Sequence, residues 1–143
     1  GSGIIETVKI TGKDKKQIDL KAKVDTGAGM TSIDEDLAVA LGFESALTYY
    51  KSFGIKDNLS RKEIEEFSKR QLWKELEKHQ DIVAVAKVFS SHGGSYRMEV
   101  PIKLKISGVE LNTKASVISR KGLAYPMIIG RRDLKRFLVD PTK

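Results

Sequence analysis

The sequence contains no cysteine, which excludes disulfide bonds, thiol nucleophiles and cysteine metal sites together. Histidine occurs only twice, at His79 and His92, and the zinc-binding pattern His-Glu-x-x-His is missing. A zinc site would therefore need carboxylates for most of its ligands. The nucleotide-binding pattern Gly-x-x-x-x-Gly-Lys-Ser/Thr is missing as well. These absences predict a protein with neither a metal nor another cofactor.

Long hydrophobic runs are missing too. No apolar stretch approaches the ~18 residues that mark a membrane-spanning helix, and the first residues show no leader-like pattern. Gly1, Ser2 and Gly3 are typical of a cloning remnant. The lack of cysteine and of apolar runs favours a cytoplasmic protein, with a removed targeting or membrane segment as the open alternative.

The composition indicates one ordinary domain over residues 4–143. Of the 143 residues, 40% are apolar and 31% are charged, which is enough for a single hydrophobic core. The net charge is +7, from 26 basic and 19 acidic residues. Basic residues are scattered along the chain, whereas nucleic-acid-binding proteins usually cluster them. The charge therefore predicts a solvated surface and no nucleic-acid partner.

The first part of the chain predicts a hairpin followed by two helices. Val8–Ile10 reads as a short strand, and apolar residues alternate along Ile18–Val24. This alternation predicts a half-buried strand that leads directly to Asp25. Helices are predicted at Asp34–Leu41 and Ser60–Lys78, because each follows a Ser-x-x-Glu capping box and carries apolar residues on one face.

The second part predicts strands and one last helix. Two alternating arms around a glycine-rich tip predict a long hairpin, and the Ser-Gly pair at 107–108 predicts another tight turn. The strands are expected at Ile82–Phe89, Tyr96–Ile106, Val109–Ser119 and Tyr125–Gly130, and the helix at Arg131–Phe137. The chain is therefore expected to be mainly β.

The residues around Asp25 carry the strongest chemical signal. The alternating strand runs into Asp25, Thr26 and Gly27, and the small residues that follow let backbone amides approach the carboxylate closely. A second apolar strand ends at Gly130, just before a predicted helix. Asp-Thr-Gly is also an ordinary turn sequence, so the tripeptide alone does not establish a site.

Three features in this order resemble the retropepsin-like aspartic proteases. They are Asp25-Thr26-Gly27-Ala28, a glycine-tipped hairpin in mid-chain, and Ile128-Ile129-Gly130-Arg131. The spacing Asp-Thr-Gly-Ala-x-x-Thr, which ends at Thr31, is similar to that of the viral members. The segment 125–141 resembles more closely a prokaryotic branch that is labelled ATP-dependent zinc protease and is associated with ATP-grasp glutamate ligases. The resemblance implies a mainly β acid-protease barrel or sandwich with a short C-terminal helix, plus an inserted helix near 60–78.

The resemblance also implies an endopeptidase that works as a homodimer. Aspartic proteolysis needs two close carboxylates that share one proton, and this chain contains a single Asp-Thr-Gly. The second carboxylate must then come from a second copy, with the two Asp25 side chains at a twofold axis. One carboxylate would take a proton from water while the other protonates the peptide carbonyl.

The hairpin at Lys87–Val100 resembles the flap that closes over the substrate in this family and excludes water. A plain exposed turn is the alternative, because Gly-Gly turns are common in hairpins. Arg131 matches the arginine that, in the family, pairs with an acid just after Asp-Thr-Gly-Ala. That position is Gly29 here. The acid would have to come from Asp34, Glu35 or a second chain.

The site residues implied by the resemblance fall into three groups. They are, for catalysis, Asp25, Thr26 and Gly27; for substrate binding, Ala28, Gly29, His92, Gly93 and Gly94; and for structural support, Ile128, Ile129, Gly130 and Arg131. The expected partners are a peptide or protein substrate, a second copy of the chain and, functionally, an ATP-grasp ligase. The main alternative is a non-catalytic peptide-binding or adaptor module with the same fold, which the loss of the acid at Gly29 and the inserted helix favour. A basic nucleic-acid-binding β domain is less well supported, because only 7% of residues are aromatic.

Overall fold

The computed structural model describes residues 4–91, 93–119 and 124–138. The strands in these ranges are β1 (Ile4–Thr11), β2 (Gln17–Val24), β3 (Ser32–Asp34), β4 (Ala84–Ser90), β5 (Gly93–Ile106), β6 (Val109–Ile118) and β7 (Met127–Ile129). The α-helices are α1 (Glu35–Ala40), α2 (Glu44–Ser52), α3 (Arg61–Lys69), α4 (Leu72–Leu76) and α5 (Arg131–Leu138). The predicted mainly β fold with a helical insert and a short C-terminal helix is confirmed. None of the helices in the described ranges has the length and apolar character needed to cross a bilayer.

One sheet organises the fold, with its strands in the order β1-β2-β7-β3-β6-β5-β4. Strand β7 lies between β2 and β3, parallel to the first and antiparallel to the second. Strand β1 also pairs with β5 through Ile10 and Leu104, which curls the sheet around its inner face. Each large aliphatic side chain buried there contributes about 1.5–3 kcal/mol. The buried set includes Val8, Ile10, Val24, Ile33, Val100, Ile102, Leu104 and Ile129.

Helix α3 begins at the predicted capping box. Ser60 Oγ accepts the Glu63 N–H at 3.1 Å, and Glu63 Oε1 accepts the Ser60 N–H at 3.0 Å. Bonding to Lys56 and to the Ser60 backbone lowers the pKa of Glu63 to about 2. The single helix predicted over 60–78 is nevertheless broken, because Gln71 adopts a left-handed φ of 52° between α3 and α4.

The segment before α1 differs from the prediction. Ser32 lies in β3, and its hydroxyl lies 2.7 Å from Ser116 Oγ on β6. The capping box predicted at Ser32 is therefore wrong. Asp34 caps α1 instead, by accepting the Leu37 N–H at 2.7 Å. Helix α2, which the sequence did not predict, follows α1 and buries only two of its residues.

Candidate functional site

The loop that carries Asp25 continues the pairing of β2 with β7. The Asp25 N–H donates to the Ile129 carbonyl at 3.0 Å, one residue beyond the last paired residue of β2. The chain then turns, with the Ala28 N–H donating to the Asp25 carbonyl at 3.1 Å. Inside this turn the Gly27 N–H donates to Asp25 Oδ1 at 2.9 Å. The carboxylate is thus held in a defined position at the start of the loop.

Helix α5 supports the same loop from the other side. The Arg131 N–H donates to the Ala28 carbonyl at 2.9 Å, and the Arg132 N–H donates to the Gly29 carbonyl at 3.3 Å. These are N–H groups of the first helical turn, which have no partner within the helix. The structure therefore brings residues 25–29 together with residues 128–131, two segments about a hundred positions apart in the sequence.

Gly130 is where the two segments cross most closely. A Cβ atom at this position would lie 2.4 Å from the Met30 carbonyl carbon, 2.5 Å from its oxygen and 2.8 Å from its nitrogen. All three are backbone atoms, which have little freedom to move. Gly130 is thus required for close approach between the loop and the end of β7.

A buried carboxylate that the sequence did not single out ties this crossing together. Asp133, 5% exposed, accepts the Thr31 hydroxyl at 2.6 Å through Oδ2 and the Thr113 hydroxyl at 2.7 Å through Oδ1. Thr31 Oγ1 in turn accepts the Gly130 N–H at 3.2 Å. Asp133 is therefore a positioning residue that links α5, β6 and the end of the Asp25 loop.

We expect Asp133→Ala to lower the free energy of unfolding by about 2–4 kcal/mol, because the buried Thr31 hydroxyl and the half-buried Thr113 hydroxyl lose their acceptor. Asp133→Asn keeps one carbonyl oxygen as an acceptor and should cost about half as much. Asp36→Ala, at an exposed acid in α1, serves as the control. Urea denaturation of the three variants measures the difference, and equal losses for Asp133→Ala and Asp36→Ala would contradict the positioning role.

Among the described residues, Arg131 has no acidic partner at the position that the sequence resemblance implied, which is Gly29. Its guanidinium Nη1 lies 3.4 Å from the carbonyl oxygens of both Thr26 and Gly27, and no ion pair joins it to an acid within the described ranges. The two acids proposed as substitutes are engaged elsewhere, since Asp34 caps α1 and Glu35 accepts from Lys51 Nζ at 2.7 Å. Within one chain, Arg131 supports the loop through its carbonyls instead.

Two carboxylates near the loop have different surroundings. Glu99 on β5 is buried, and burial raises its pKa even though Lys114 Nζ lies 3.9 Å from its Oε1. Asp25 is half-buried, and among the described residues its carboxylate accepts only the Gly27 N–H. Asp25 is the one of the two that remains available to a substrate or a second chain.

The hairpin of β4 and β5 differs from the predicted flap at its tip. Ser90 pairs with Gly93, so the connection between the strands consists of Ser91 and His92. The prediction that placed both glycines in the tip is therefore wrong. His92 lies outside the described residues. Gly93 and Gly94 belong to β5 and are buried.

The two glycines let the inserted segment approach the hairpin. Leu59 and Gly94 exchange backbone hydrogen bonds of 2.7 and 2.9 Å. A Cβ atom at Gly93 would lie 2.0 Å from the Leu59 carbonyl oxygen. A Cβ atom at Gly94 would lie 2.5 Å from the Val88 carbonyl oxygen on β4 and 2.9 Å from Ile64 Cδ1 on α3. The end of the hairpin thus rests on the segment that leads into α3.

Two tyrosines strengthen this attachment. The Tyr96 hydroxyl oxygen on β5 lies 3.0 Å from Ser68 Oγ. The Tyr96 ring packs with Leu59 and Ile64 in a small separate core. The Tyr50 hydroxyl of α2 donates to the Tyr96 carbonyl at 2.7 Å. Burial raises the pKa of Tyr50 to about 12, so this donor stays protonated at all physiological pH values. The inserted helices therefore support the hairpin.

Comparisons with known proteins give only structural likenesses. No family model matches the sequence, and no curated protein matches it. The chain is similar in structure to the protease of simian foamy virus (mac), with 12% identity, a TM-score of 0.47, and coverage of 96% of this chain and 99% of that one. It is also similar to the retroviral protease-like domain of Ddi1 from Leishmania major, with 16% identity, a TM-score of 0.45, and coverage of 96% and 82%.

A third similar structure is a Legionella pneumophila protein of unknown function. It shows 19% identity and a TM-score of 0.46, with coverage of 94% of this chain and 86% of that one. Two of the three are described as a retroviral protease and a retroviral protease-like domain. Likenesses at this level say nothing about activity, and the narrower resemblance to the prokaryotic branch stays a prediction. Among the described residues, no three His, Asp or Glu side chains cluster in a way that could hold a metal ion.

Proposed function

We propose that this protein is an aspartic endopeptidase that acts as a twofold homodimer, with one Asp25 from each copy. The observation that carries the proposal is that the Asp25 carboxylate is fixed in position and still accessible. It is fixed by the Gly27 N–H at 2.9 Å, in a loop that β7 and α5 both hold. It is nevertheless half-exposed and forms no ion pair with any described residue. A positioned but uncommitted carboxylate is what general acid–base catalysis requires.

A single copy does not complete such a site. The described part of one chain supplies a single carboxylate at the Asp25 loop, whereas the mechanism needs two. The start of β1 beside the loop is apolar and uncovered: Ile4, 67% exposed, pairs with Val24, and Ile5 is 38% exposed. A second copy that covers this strand would bury the apolar residues and place a second loop opposite the first.

In the dimer the two Asp25 carboxylates share one proton, because two close negative charges repel each other. The ionised carboxylate takes a proton from a water molecule, whose oxygen attacks the peptide carbonyl carbon. The protonated carboxyl donates its proton to the carbonyl oxygen. The tetrahedral intermediate then collapses and the C–N bond breaks. One hydroxyl of the intermediate returns its proton to the second carboxylate as the C=O bond re-forms, and the leaving nitrogen takes the proton that the first carboxylate had accepted. Gly27 leaves room for an extended peptide backbone beside the carboxylates.

The dimer is tested by placing a charge on the exposed start of β1. We expect the unchanged chain to sediment as a dimer, and Ile4→Asp to shift it towards monomer and to reduce peptidase activity in proportion, because a carboxylate in an apolar interface loses solvation. Val83→Asp, at an apolar residue 45% exposed just before β4, is the matched control and should change neither property. A fully active monomer in analytical ultracentrifugation would overturn the proposed assembly.

A non-catalytic peptide-binding module is the second candidate. Two observations favour it: Arg131 has no acidic partner in the described part of the chain, and Gly94 is hydrogen-bonded to Leu59 at the end of the hairpin. A hairpin attached to the insert closes less freely over a substrate than a free flap does. Mass spectrometry of peptides after incubation distinguishes the two functions, since the module would return bound peptides uncleaved.

A further inference from the structure

A groove separate from the Asp25 loop runs between α3 and β4. We call it the α3–β4 groove. It has a volume of about 590 Å³. Its α3 residues are spaced three and four apart and so share one helix face, and its β4 residues are two apart and so share one strand face. The lining consists of Arg61, Ile64, Glu65, Ser68 and Lys69 on α3 and Lys87 and Phe89 on β4.

The groove presents an aromatic ring to solvent. Phe89 is 67% exposed although it lies within a strand, while Ile64 on the opposite wall is buried at 7% exposure. Covering the Phe89 ring would contribute about 1.5–3 kcal/mol to a partner's binding. Large, rigid aromatic side chains of this kind often dominate the energy of an interface. The groove therefore offers an apolar anchor point.

The rim of the groove is positively charged. The lining contains three basic side chains and one acidic side chain, Glu65. The basic ones are Arg61, Lys69 and Lys87. Lys87 is also held in place, because its Nζ donates to Ser68 Oγ at 3.0 Å and lies 5.9 Å from the centre of the Tyr96 ring. A cation that is already ordered loses less entropy when a carboxylate binds it. The charge of the rim is complementary to an acidic ligand.

The position of β4 leaves the groove open on one side. β4 is the last strand of the sheet, and among the described residues its backbone pairs only with β5. An edge strand has a row of N–H and C=O groups to which an extended segment can bind. The lining therefore fits an extended chain better than a compact ligand.

We propose that the α3–β4 groove binds an acidic, extended segment of a partner protein. One apolar side chain of the segment packs on Phe89 and Ile64, and flanking carboxylates face Arg61, Lys69 and Lys87. This interaction does not use Asp25, although Lys87 and Phe89 belong to the hairpin that resembles the flap. Asp25→Asn should leave peptide binding in the groove intact. The failure of the peptidase proposal would therefore leave the groove proposal standing, and the reverse also holds.

Fluorescence anisotropy with a labelled Glu-Asp-Val-Phe-Val-Asp-Glu peptide tests the groove. We expect saturable binding that weakens as salt is added. Lys87→Glu and Phe89→Ser should each weaken it about tenfold or more, through charge reversal and through loss of the anchor. Lys78→Glu, which changes the net charge equally on an exposed residue of the i,i+3 pair with Glu75, should have no effect. Thermal melting of each variant verifies its fold.

Other outcomes overturn the proposal. Equal binding of the charge-reversed peptide Lys-Arg-Val-Phe-Val-Arg-Lys would exclude an acidic ligand, and so would binding that both groove variants leave unchanged. Dimers that Phe89→Ser dissociates in sedimentation velocity would identify a second copy as the occupant. Displacement of the peptide by an oligothymidine at lower concentration would identify nucleic acid.

Discussion

Replacing Asp25 by asparagine is expected to lower peptidase turnover by about 10³-fold or more, because the proposed dimer would lose the carboxylates that activate water. Asparagine has nearly the same shape, and its carbonyl oxygen can still accept the Gly27 N–H that Asp25 Oδ1 accepts at 2.9 Å. Fold and dimer should therefore persist. Steady-state hydrolysis of a peptide library measures the loss of turnover.

Mixing the two forms tests whether both copies contribute a carboxylate. If each site needs two Asp25 residues, a half-and-half mixture of exchanging subunits retains about a quarter of the activity, whereas independent sites would retain about half. Asp19→Asn, at an exposed acid of β2, the strand that leads to Asp25, is the matched control and should remain fully active. Hydrolysis that survives Asp25→Asn, or that stops only with a chelator, would refute the aspartic mechanism.

The surroundings of Asp25 were largely predictable from the sequence. Alternation along Ile18–Val24 predicts the strand, and the glycines after Asp25 predict a tight loop. The position of β7 beside that loop could not be predicted from periodicity, because periodicity does not specify which strands pair. It was expected only from the order of motifs shared with a known family. The parallel pair of Val24 and Ile129 agrees with that expectation.

Asp133 shows why part of the site could not be predicted. An acid in the first turn of a helix is favoured by the helix dipole, so its local pattern indicates nothing more than an exposed, solvated side chain. Its burial depends on Thr31 and Thr113, which are 102 and 20 residues away in the sequence. Contacts at that separation follow from the tertiary fold and leave no periodic signal. Thr31 was the one indication, as the last residue of the family spacing.

Gly93 and Gly94 mislead the sequence prediction for a physical reason. Glycine serves both in turns that need a positive φ and at points where another backbone comes close. Adjacent glycines between two strands favour the first interpretation. Here Gly93 meets both requirements, since its φ is 134° and a Cβ would lie 2.0 Å from the Leu59 carbonyl oxygen, whereas Gly94 meets the second. The inserted segment creates the close approach at Gly93. Its irregular apolar pattern predicted a helix but not the surface on which the helix packs.

Alanine at Gly130 is expected to lower the free energy of unfolding by about 3 kcal/mol or more, which corresponds to a fall in Tm of roughly 10 °C. The added Cβ would lie 2.4 Å from a Met30 backbone atom, so the loop or the end of β7 has to move. Because the Asp25 N–H is bonded to Ile129, that movement should also displace the carboxylate. Differential scanning calorimetry measures the loss of stability, and amide hydrogen exchange at residues 25–31 locates it.

Gly29→Ala supplies the matched control on the same loop. Neither glycine adopts a left-handed φ, and the nearest atom to a Cβ at Gly29 is Arg131 Nη2 at 3.5 Å, an ordinary van der Waals contact. This variant should stay within about 0.5 kcal/mol of the unchanged protein, or gain slightly because alanine restricts the unfolded chain. A large difference between the two alanine variants identifies the backbone crossing as the cause. Equal Tm values would mean that the crossing at Gly130 does not hold the Asp25 loop in place.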